Sequence, residues 1–149
     1  MSVFGTVGHL ARRFATSLSR RPPAADDLAW AHAMLLPSEA ALWDRMTAQD
    51  RRHSILVARR FVERLPDATR PEVAAALLHD VGKLEAGLGT FARVAATVVG
   101  PRGRRFRAYH DHEAIGAGLL ADAGSDTVTV SLVTGHGRAA EVLRAADDV

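Results

Sequence analysis

The chain has no cysteine among its 149 residues, which excludes disulfide bonds and any zinc site built on thiolates. A metal ion in this protein would therefore have to be held by His, Asp or Glu side chains. Aromatic residues make up only 5% of the chain, whereas 48% of the residues are apolar and 24% are charged. These proportions and this length are typical of one globular domain that buries its own core.

Long apolar runs are also missing. The longest candidate, residues 88–99, is interrupted by Arg93 and falls short of the roughly 20 residues of a membrane-spanning helix. The N-terminus lacks the apolar segment of a signal peptide, so we expect a cytoplasmic protein. A formal net charge of only +2 does not predict a stable complex with nucleic acid, and a homo-oligomer remains open.

Lysine is almost absent, since Lys83 is the only lysine among 19 basic residues. It ends the string His79-Asp80-Val81-Gly82-Lys83, which follows the apolar run 73–78. A chain that uses arginine elsewhere but lysine here indicates a need for a compact ammonium group at this position. The adjacent His79 and Asp80 offer a nitrogen and an oxygen ligand for one metal ion.

Apolar residues at helical spacing, together with helix caps and stops, predict an all-α single domain. The expected helices cover residues 3–18, 27–36, 39–46 behind Ser38, 48–65 behind Thr47, 72–80, 91–99 behind Thr90, 112–123 with a stop at Gly124, 127–134 behind Ser125 or Asp126, and 138–146. Residues 100–109 are predicted to form a loop. Residues 128–133 have strand propensity, but a single strand would lack a partner, so we predict helix there.

The chain is expected to form one globular unit with two parts. N-terminal helices in residues 1–46 would pack on a metal-binding domain formed by residues 47–149. The amphipathic helix 3–18 carries arginines on its polar face, so binding to a membrane surface is the alternative to packing on the core.

Further ligand candidates are spread along the chain. His53 precedes His79 by 26 positions, an interval that fits one helix, a turn and a second helix, and so allows both side chains to meet inside a bundle. His112 lies one helical turn before Gly116, which would leave room near the imidazole. His136 stands between two glycines at a helix corner, and Asp147 follows an apolar turn.

These motifs resemble the HD superfamily of metal-dependent phosphohydrolases, and the resemblance covers roughly residues 47–148. It rests on His53, on the His79-Asp80 pair followed by Gly82-Lys83, and on Asp147 after two alanines. The stretch 112–120 with His136 is similar to the branch of the family that has two extra histidines, which includes the HD-GYP phosphodiesterases. The Gly-Tyr-Pro segment itself is absent, which argues against a cyclic dinucleotide substrate.

The resemblance implies an HD-type helical bundle that holds one or two divalent ions, with Fe, Mn, Mg, Ni and Zn as candidates. One ion would be bound by His53, His79, Asp80 and Asp147. His112 and His136 would bind a second ion, with Asp80 as the bridge. Gly137 stands where the family often has another histidine, so a second ion would have one ligand fewer.

The chemistry expected of such a site is hydrolysis of a phosphate ester, for which a nucleotide is one candidate, by metal-activated water. Asp80 and Lys83 are the predicted catalytic residues. The predicted contacts to the substrate are Lys83, Arg102, Arg104, Arg105, Arg107 and His110. Two alternatives remain open: a catalytically inactive regulatory domain that binds a nucleotide or a partner protein, and a di-iron oxygenase.

Overall fold

The structure is a computed structural model that describes residues 21–84 and 103–148, and the side chains from residue 113 onward in the second range. All regular structure in these ranges is helical, which confirms the expected all-α fold for this part of the chain. The helices are α1 (Ala25–Met34), α2 (Pro37–Asp44), α3 (Ala48–Arg64), α4 (Arg70–Leu78), a short 3₁₀ helix (Val81–Leu84), α5 (Gly103–Asp122), α6 (Thr127–Val133) and α7 (Ala140–Asp147). None of the described helices is long and apolar enough to cross a membrane.

Side-chain caps determine where three helices begin. Thr47 accepts a hydrogen bond from the Asp50 backbone N–H at the start of α3, and Asp126 accepts one from Val128 at the start of α6. Thr69 and Glu72 form a reciprocal capping box before α4. Each cap satisfies a first-turn N–H that has no partner within its own helix. The predicted start behind Thr47 is therefore confirmed, and of the two caps predicted for α6, Ser125 or Asp126, the structure shows Asp126.

Two glycines end helices by the same geometry. Gly124 follows α5 with φ of 78°, and Gly135 follows α6 with φ of 82°. After α6, the Gly135 N–H donates to Leu132 and the His136 N–H donates to Ser131, which is the Schellman pattern that satisfies the last carbonyl groups. A side chain at either glycine would be strained by the positive φ.

Helix α4 lies at the centre of the fold. It contacts α1, α2, α3 and α6, and residues 73–78 are all buried. A helix surrounded in this way is apolar on all sides rather than on one stripe, which explains the unbroken apolar run before His79. The chain then turns through residues 79–83, which we call the His-Asp turn, and Val81 within it remains part of the core.

Glu39 links three parts of the fold, although it is a fully buried carboxylate. It accepts hydrogen bonds from the Leu36 N–H at 2.8 Å, from Ser125 at 2.7 Å and from Arg70 at 3.3 Å. These contacts tie α2 to the start of α4 and to the turn between α5 and α6. Buried charge is tolerated here because it is paired and hydrogen-bonded.

Several sequence predictions differ from the observed helices. The predicted loop 100–109 is wrong from residue 103 onward, because α5 begins at Gly103; arginine is a good helix former, and its clustering does not indicate a loop. Ser38 is not the cap of α2, since the helix begins at Pro37 behind Leu36 and Ser38 donates to the Ala123 carbonyl instead.

Other predictions agree with the structure or are not covered by it. Residues 128–133 lie in α6, so the choice of helix over strand is confirmed. The helix predicted over 72–80 ends at Leu78, which leaves Asp80 in the His-Asp turn. The expected helices 3–18 and 91–99 lie outside the described residues.

Candidate metal centre

Three helices bring two histidines and one carboxylate together. His53 lies in α3, His79 follows the last residue of α4, and Asp147 ends α7. The Oδ1 atom of Asp147 is 3.0 Å from His53 Nε2 and 3.4 Å from His79 Nε2. We call these three residues the His-His-Asp group, and one ligand atom from each lies within 4.8 Å of the other two.

The tautomer of His79 follows from its backbone contact. His79 Nδ1 lies 2.7 Å from the Ala76 carbonyl oxygen, and because a carbonyl oxygen only accepts, Nδ1 must carry the proton. In the neutral ring, Nε2 then presents its lone pair to the group. This atom is buried and has no hydrogen-bond partner among the residues that the structure describes, yet carboxylate oxygens of Asp147 and Asp80 each lie 3.4 Å away. A cation bound between the Nε2 lone pair and the two carboxylates would stabilise this arrangement.

The pKa values of the group reflect the same electrostatics. Burial lowers the pKa of His79, but the close approach of Asp147 and the negative charges of Asp80 and Asp147 outweigh it, so the pKa is raised. The hydrogen bond with His53 and the close approach of the His79 imidazole hold the pKa of Asp147 far below its usual range. The site therefore favours a proton or a metal cation beside an ionised Asp147.

Asp80 and Lys83 extend the group on one side. Asp80 Oδ2 lies 3.4 Å from His79 Nε2 and 3.3 Å from Lys83 Nζ. Asp50, in the first turn of α3, is a second carboxylate near Lys83, at 3.8 Å. Burial lowers the pKa of Lys83, but Asp80 and Asp50 outweigh that effect and raise it, so Lys83 remains a cation beside the group.

The His-Asp turn is held against α5 by a close backbone contact. A Cβ built on Gly116 would lie 3.2 Å from the Gly82 nitrogen and 3.4 Å from a methyl group of Val81. Gly116 therefore makes room for the backbone of the turn, so that Asp80 and Lys83 are positioned by a rigid helix. The sequence had suggested that this glycine makes room for the His112 imidazole.

Not every predicted site residue joins this group. His136 is exposed, its Nδ1 lies 3.1 Å from the Thr134 hydroxyl, and it lines a separate depression with Glu72 and Arg138. Its role as a ligand of a second ion remains a prediction. The other predicted residues have side chains outside the described part: Arg102, Arg104, Arg105, Arg107, His110 and His112.

The His-His-Asp group opens into a cavity of about 340 Å³. Charged residues on its wall include Lys83, Glu113 and Arg144, and Leu132, Val133 and Leu143 add apolar surface. Sequence reasoning missed Asp50 and Arg144. Each lies three positions before a predicted ligand, His53 or Asp147, and that helical spacing was the signal that could have found them.

The donor set suits a divalent metal ion. Ligand atoms about 2.1 Å from one ion lie roughly 3.0–3.4 Å apart, which matches the distances from Asp147 Oδ1 to the two imidazoles. The bond from His79 Nδ1 to Ala76 orients the ring and leaves Nε2 as the ligand atom, a common arrangement around metal-binding histidines. Comparison with protein-family models, with curated proteins and with solved structures found no match.

Proposed function

We propose that this chain is a metal-dependent phosphohydrolase of the HD type that hydrolyses a small phosphate ester. The observation that carries the proposal is His79 Nε2, a buried ligand atom without a hydrogen-bond partner that faces the carboxylates of Asp80 and Asp147. In this proposal His53, His79, Asp80 and Asp147 hold one divalent ion. Such an ion supplies a hydroxide nucleophile near neutral pH and polarises a phosphoryl oxygen.

The surrounding residues have separate tasks in the proposed reaction. Asp147 is ionised because its pKa is strongly lowered, so it contributes negative charge to the site at any physiological pH. The Ala76 carbonyl holds the His79 ring in one orientation through Nδ1. This fixed geometry avoids reorganisation when a ligand binds, which is a main source of catalytic power.

Lys83 is the proposed phosphate contact. Its ammonium group is held by Asp80 at 3.3 Å and Asp50 at 3.8 Å and lines the same cavity as the His-His-Asp group. Three donors on a compact cation allow it to bind carboxylates and still reach a phosphate oxygen. Lys83 would neutralise negative charge that develops on the phosphoryl group in the transition state.

The proposal is confined to one ion. Among the described side chains, His53, His79 and Asp147 each place one ligand atom within 4.8 Å of the other two, and Asp80 Oδ2 lies 3.4 Å from His79 Nε2. His136 lines the separate depression instead. A second ion bound by His112 and His136 remains the expectation from the family resemblance, and metal stoichiometry decides it.

The test is metal content per chain, measured by plasma mass spectrometry on protein purified without chelator. The wild type should contain about one equivalent of a transition metal, and Asp80→Ala should lose it. His136→Ala is the control, because it removes a predicted ligand that lies outside the His-His-Asp group, and it should retain the metal. Equal metal content in wild type and Asp80→Ala would remove Asp80 from the ligand set.

Turnover should accompany the metal. With Mn or Mg added back after chelation, the wild type should hydrolyse p-nitrophenyl phosphate or bis-p-nitrophenyl phosphate, and Asp80→Ala should not. Two equivalents of iron with a redox-dependent absorption band would instead support an oxygenase. If the reconstituted protein binds no metal and shows no hydrolysis, the result supports a regulatory domain.

A further inference from the structure

Arg144 is a cation at the candidate site that none of the described carboxylates neutralises. It lies in α7, three residues before Asp147, and lines the same cavity as the His-His-Asp group. Within the described side chains no carboxylate lies at ion-pair distance from its guanidinium. This distinguishes it from Lys83, which is held by two carboxylates, and from Arg138, which is paired with Glu72 and Asp67.

The corner after α6 leaves space beside this arginine. Arg144 Nη2 lies 3.9 Å from where a Cβ on Gly135 would be. Gly135 has a positive φ of 82° and also lines the cavity. The sequence analysis had singled out this corner because of His136, but the residue that lines the cavity is Gly135. Because Gly135 has no side chain, the Arg144 guanidinium lies beside its backbone.

Arg144 is not a member of the His-His-Asp group that would hold the metal. Three residues along an α-helix correspond to about 4.5 Å along the axis, so Arg144 lies nearly one turn from Asp147. The cavity wall also includes Leu132, Val133 and Leu143, which suit an uncharged part of a ligand. The proposed metal ligands, a paired lysine, an apolar surface and an arginine that has no carboxylate partner among the described side chains therefore share one cavity.

We propose that Arg144 binds a second anionic group of the substrate, a phosphate or a carboxylate remote from the phosphoryl group that reacts. This inference rests on the proposed function and specifies its substrate class: small phosphate esters with two anionic groups. A guanidinium binds either anion through two parallel hydrogen bonds. The cavity of about 340 Å³ is at the lower end of the range for small-molecule sites.

The test measures binding with three probes that share a three-carbon skeleton. Glycerol 3-phosphate has one anionic group, 3-phosphoglycerate adds a carboxylate, and 2,3-bisphosphoglycerate adds a second phosphate as well. Calorimetry on metal-loaded wild type should show about tenfold tighter binding of at least one of the last two, since a hydrogen bond to a charged group contributes about 1.5 kcal/mol or more. A gain already present with 3-phosphoglycerate identifies a carboxylate as the second anion, whereas a gain confined to 2,3-bisphosphoglycerate identifies a phosphate.

Arg144→Ala should abolish this preference and leave the Kd of glycerol 3-phosphate unchanged, whereas Arg144→Lys should retain part of it. Arg64→Ala is the control, because Arg64 is exposed, lies at the end of α3 and loses the same charge. Equal affinity of all three probes for the wild type overturns the inference. An equal loss of affinity for all three probes in Arg144→Ala also overturns it, as does the absence of measurable binding of any probe to the wild type.

The outcome can be separated from that of the proposed function. A protein that hydrolyses p-nitrophenyl phosphate but shows no preference for the doubly anionic probes retains the proposed function and overturns the role of Arg144. A preference that depends on Arg144 without any hydrolysis supports the binding role and contradicts the phosphohydrolase.

Discussion

His53 and Asp147 meet across the fold although they are 94 positions apart in the sequence, with His53 Nε2 at 3.0 Å from Asp147 Oδ1. The packing of α3 against α7 brings them together. The neighbouring Asp148 lines the same cavity but is not part of the His-His-Asp group. A helix directs adjacent side chains about 100° apart, so only one of two consecutive aspartates can point at the two histidines.

The first prediction therefore compares these two aspartates. Asp147→Asn should weaken metal binding by at least about 100-fold, because it removes a charged oxygen shared by both imidazoles. Asp148→Asn should retain the metal. Calorimetric titration of the proteins with Zn or Mn, after a chelator has removed bound metal, measures both affinities. A larger loss of metal affinity in Asp148→Asn than in Asp147→Asn would contradict the assignment of Asp147.

The second prediction concerns Lys83. Lys83→Ala should leave the metal bound and reduce turnover of p-nitrophenyl phosphate by about 100-fold, because a preorganised cation at a developing charge is lost. Lys83→Arg should recover only part of the rate, since a planar guanidinium does not reproduce a compact ammonium. Circular dichroism and metal content serve as controls, and an unfolded Lys83→Ala would leave the catalytic role without support.

The third prediction uses two glycines of α5 as a matched pair. Gly118 has no atom within 4 Å of a built Cβ, whereas Gly116 has the Gly82 backbone at 3.2 Å. Gly118→Ala should stabilise the protein by up to about 1 kcal/mol through helix propensity. Gly116→Ala should be less stable than Gly118→Ala by about 1–3 kcal/mol, because it forces the His-Asp turn away from α5.

Urea unfolding of both glycine variants measures these differences in stability. Gly116→Ala should also lower metal affinity, since the turn carries Asp80. Equal stabilisation by both substitutions would contradict the close approach of α5 to the turn.

The fourth prediction concerns acid stability. The hydrogen bond from Arg138 is the largest cause that lowers the pKa of Glu72 below its ordinary value of 4.5, and burial opposes it. The folded state therefore binds the proton of Glu72 less tightly than the unfolded state. This contribution to stability is complete above the unfolded pKa and is lost as the pH falls through the folded pKa.

Urea midpoints measured from pH 7 down to pH 3 test this linkage. The wild type should lose stability through this range more steeply than Glu72→Gln, which cannot titrate at position 72. Parallel pH profiles for the two proteins would show that the pair of Glu72 and Arg138 does not contribute.

Local signals predicted much of the helical architecture. The caps Thr47 and Asp126 and the stop at Gly124 act within one turn of chain, so their effect can be read from neighbouring residues. The exceptions are instructive. Ser38 is a good cap by type, but Glu39 takes the backbone N–H of Leu36 and Ser38 bonds instead to Ala123, a contact that depends on a distant turn.

Local patterns in the sequence predicted the helical class and the approximate helix bounds, and they singled out His53, His79, Asp80 and Lys83 as candidate site residues, because periodicity, capping and the adjacency of possible ligands are local properties. Tertiary structure alone decided which of two aspartates meets the histidines, that Gly116 accommodates Gly82, and that Gly135 rather than His136 lines the cavity with Arg144. Those choices depend on how helices far apart in sequence pack and rotate against one another, and a contact between distant residues leaves no periodic or local mark on the chain.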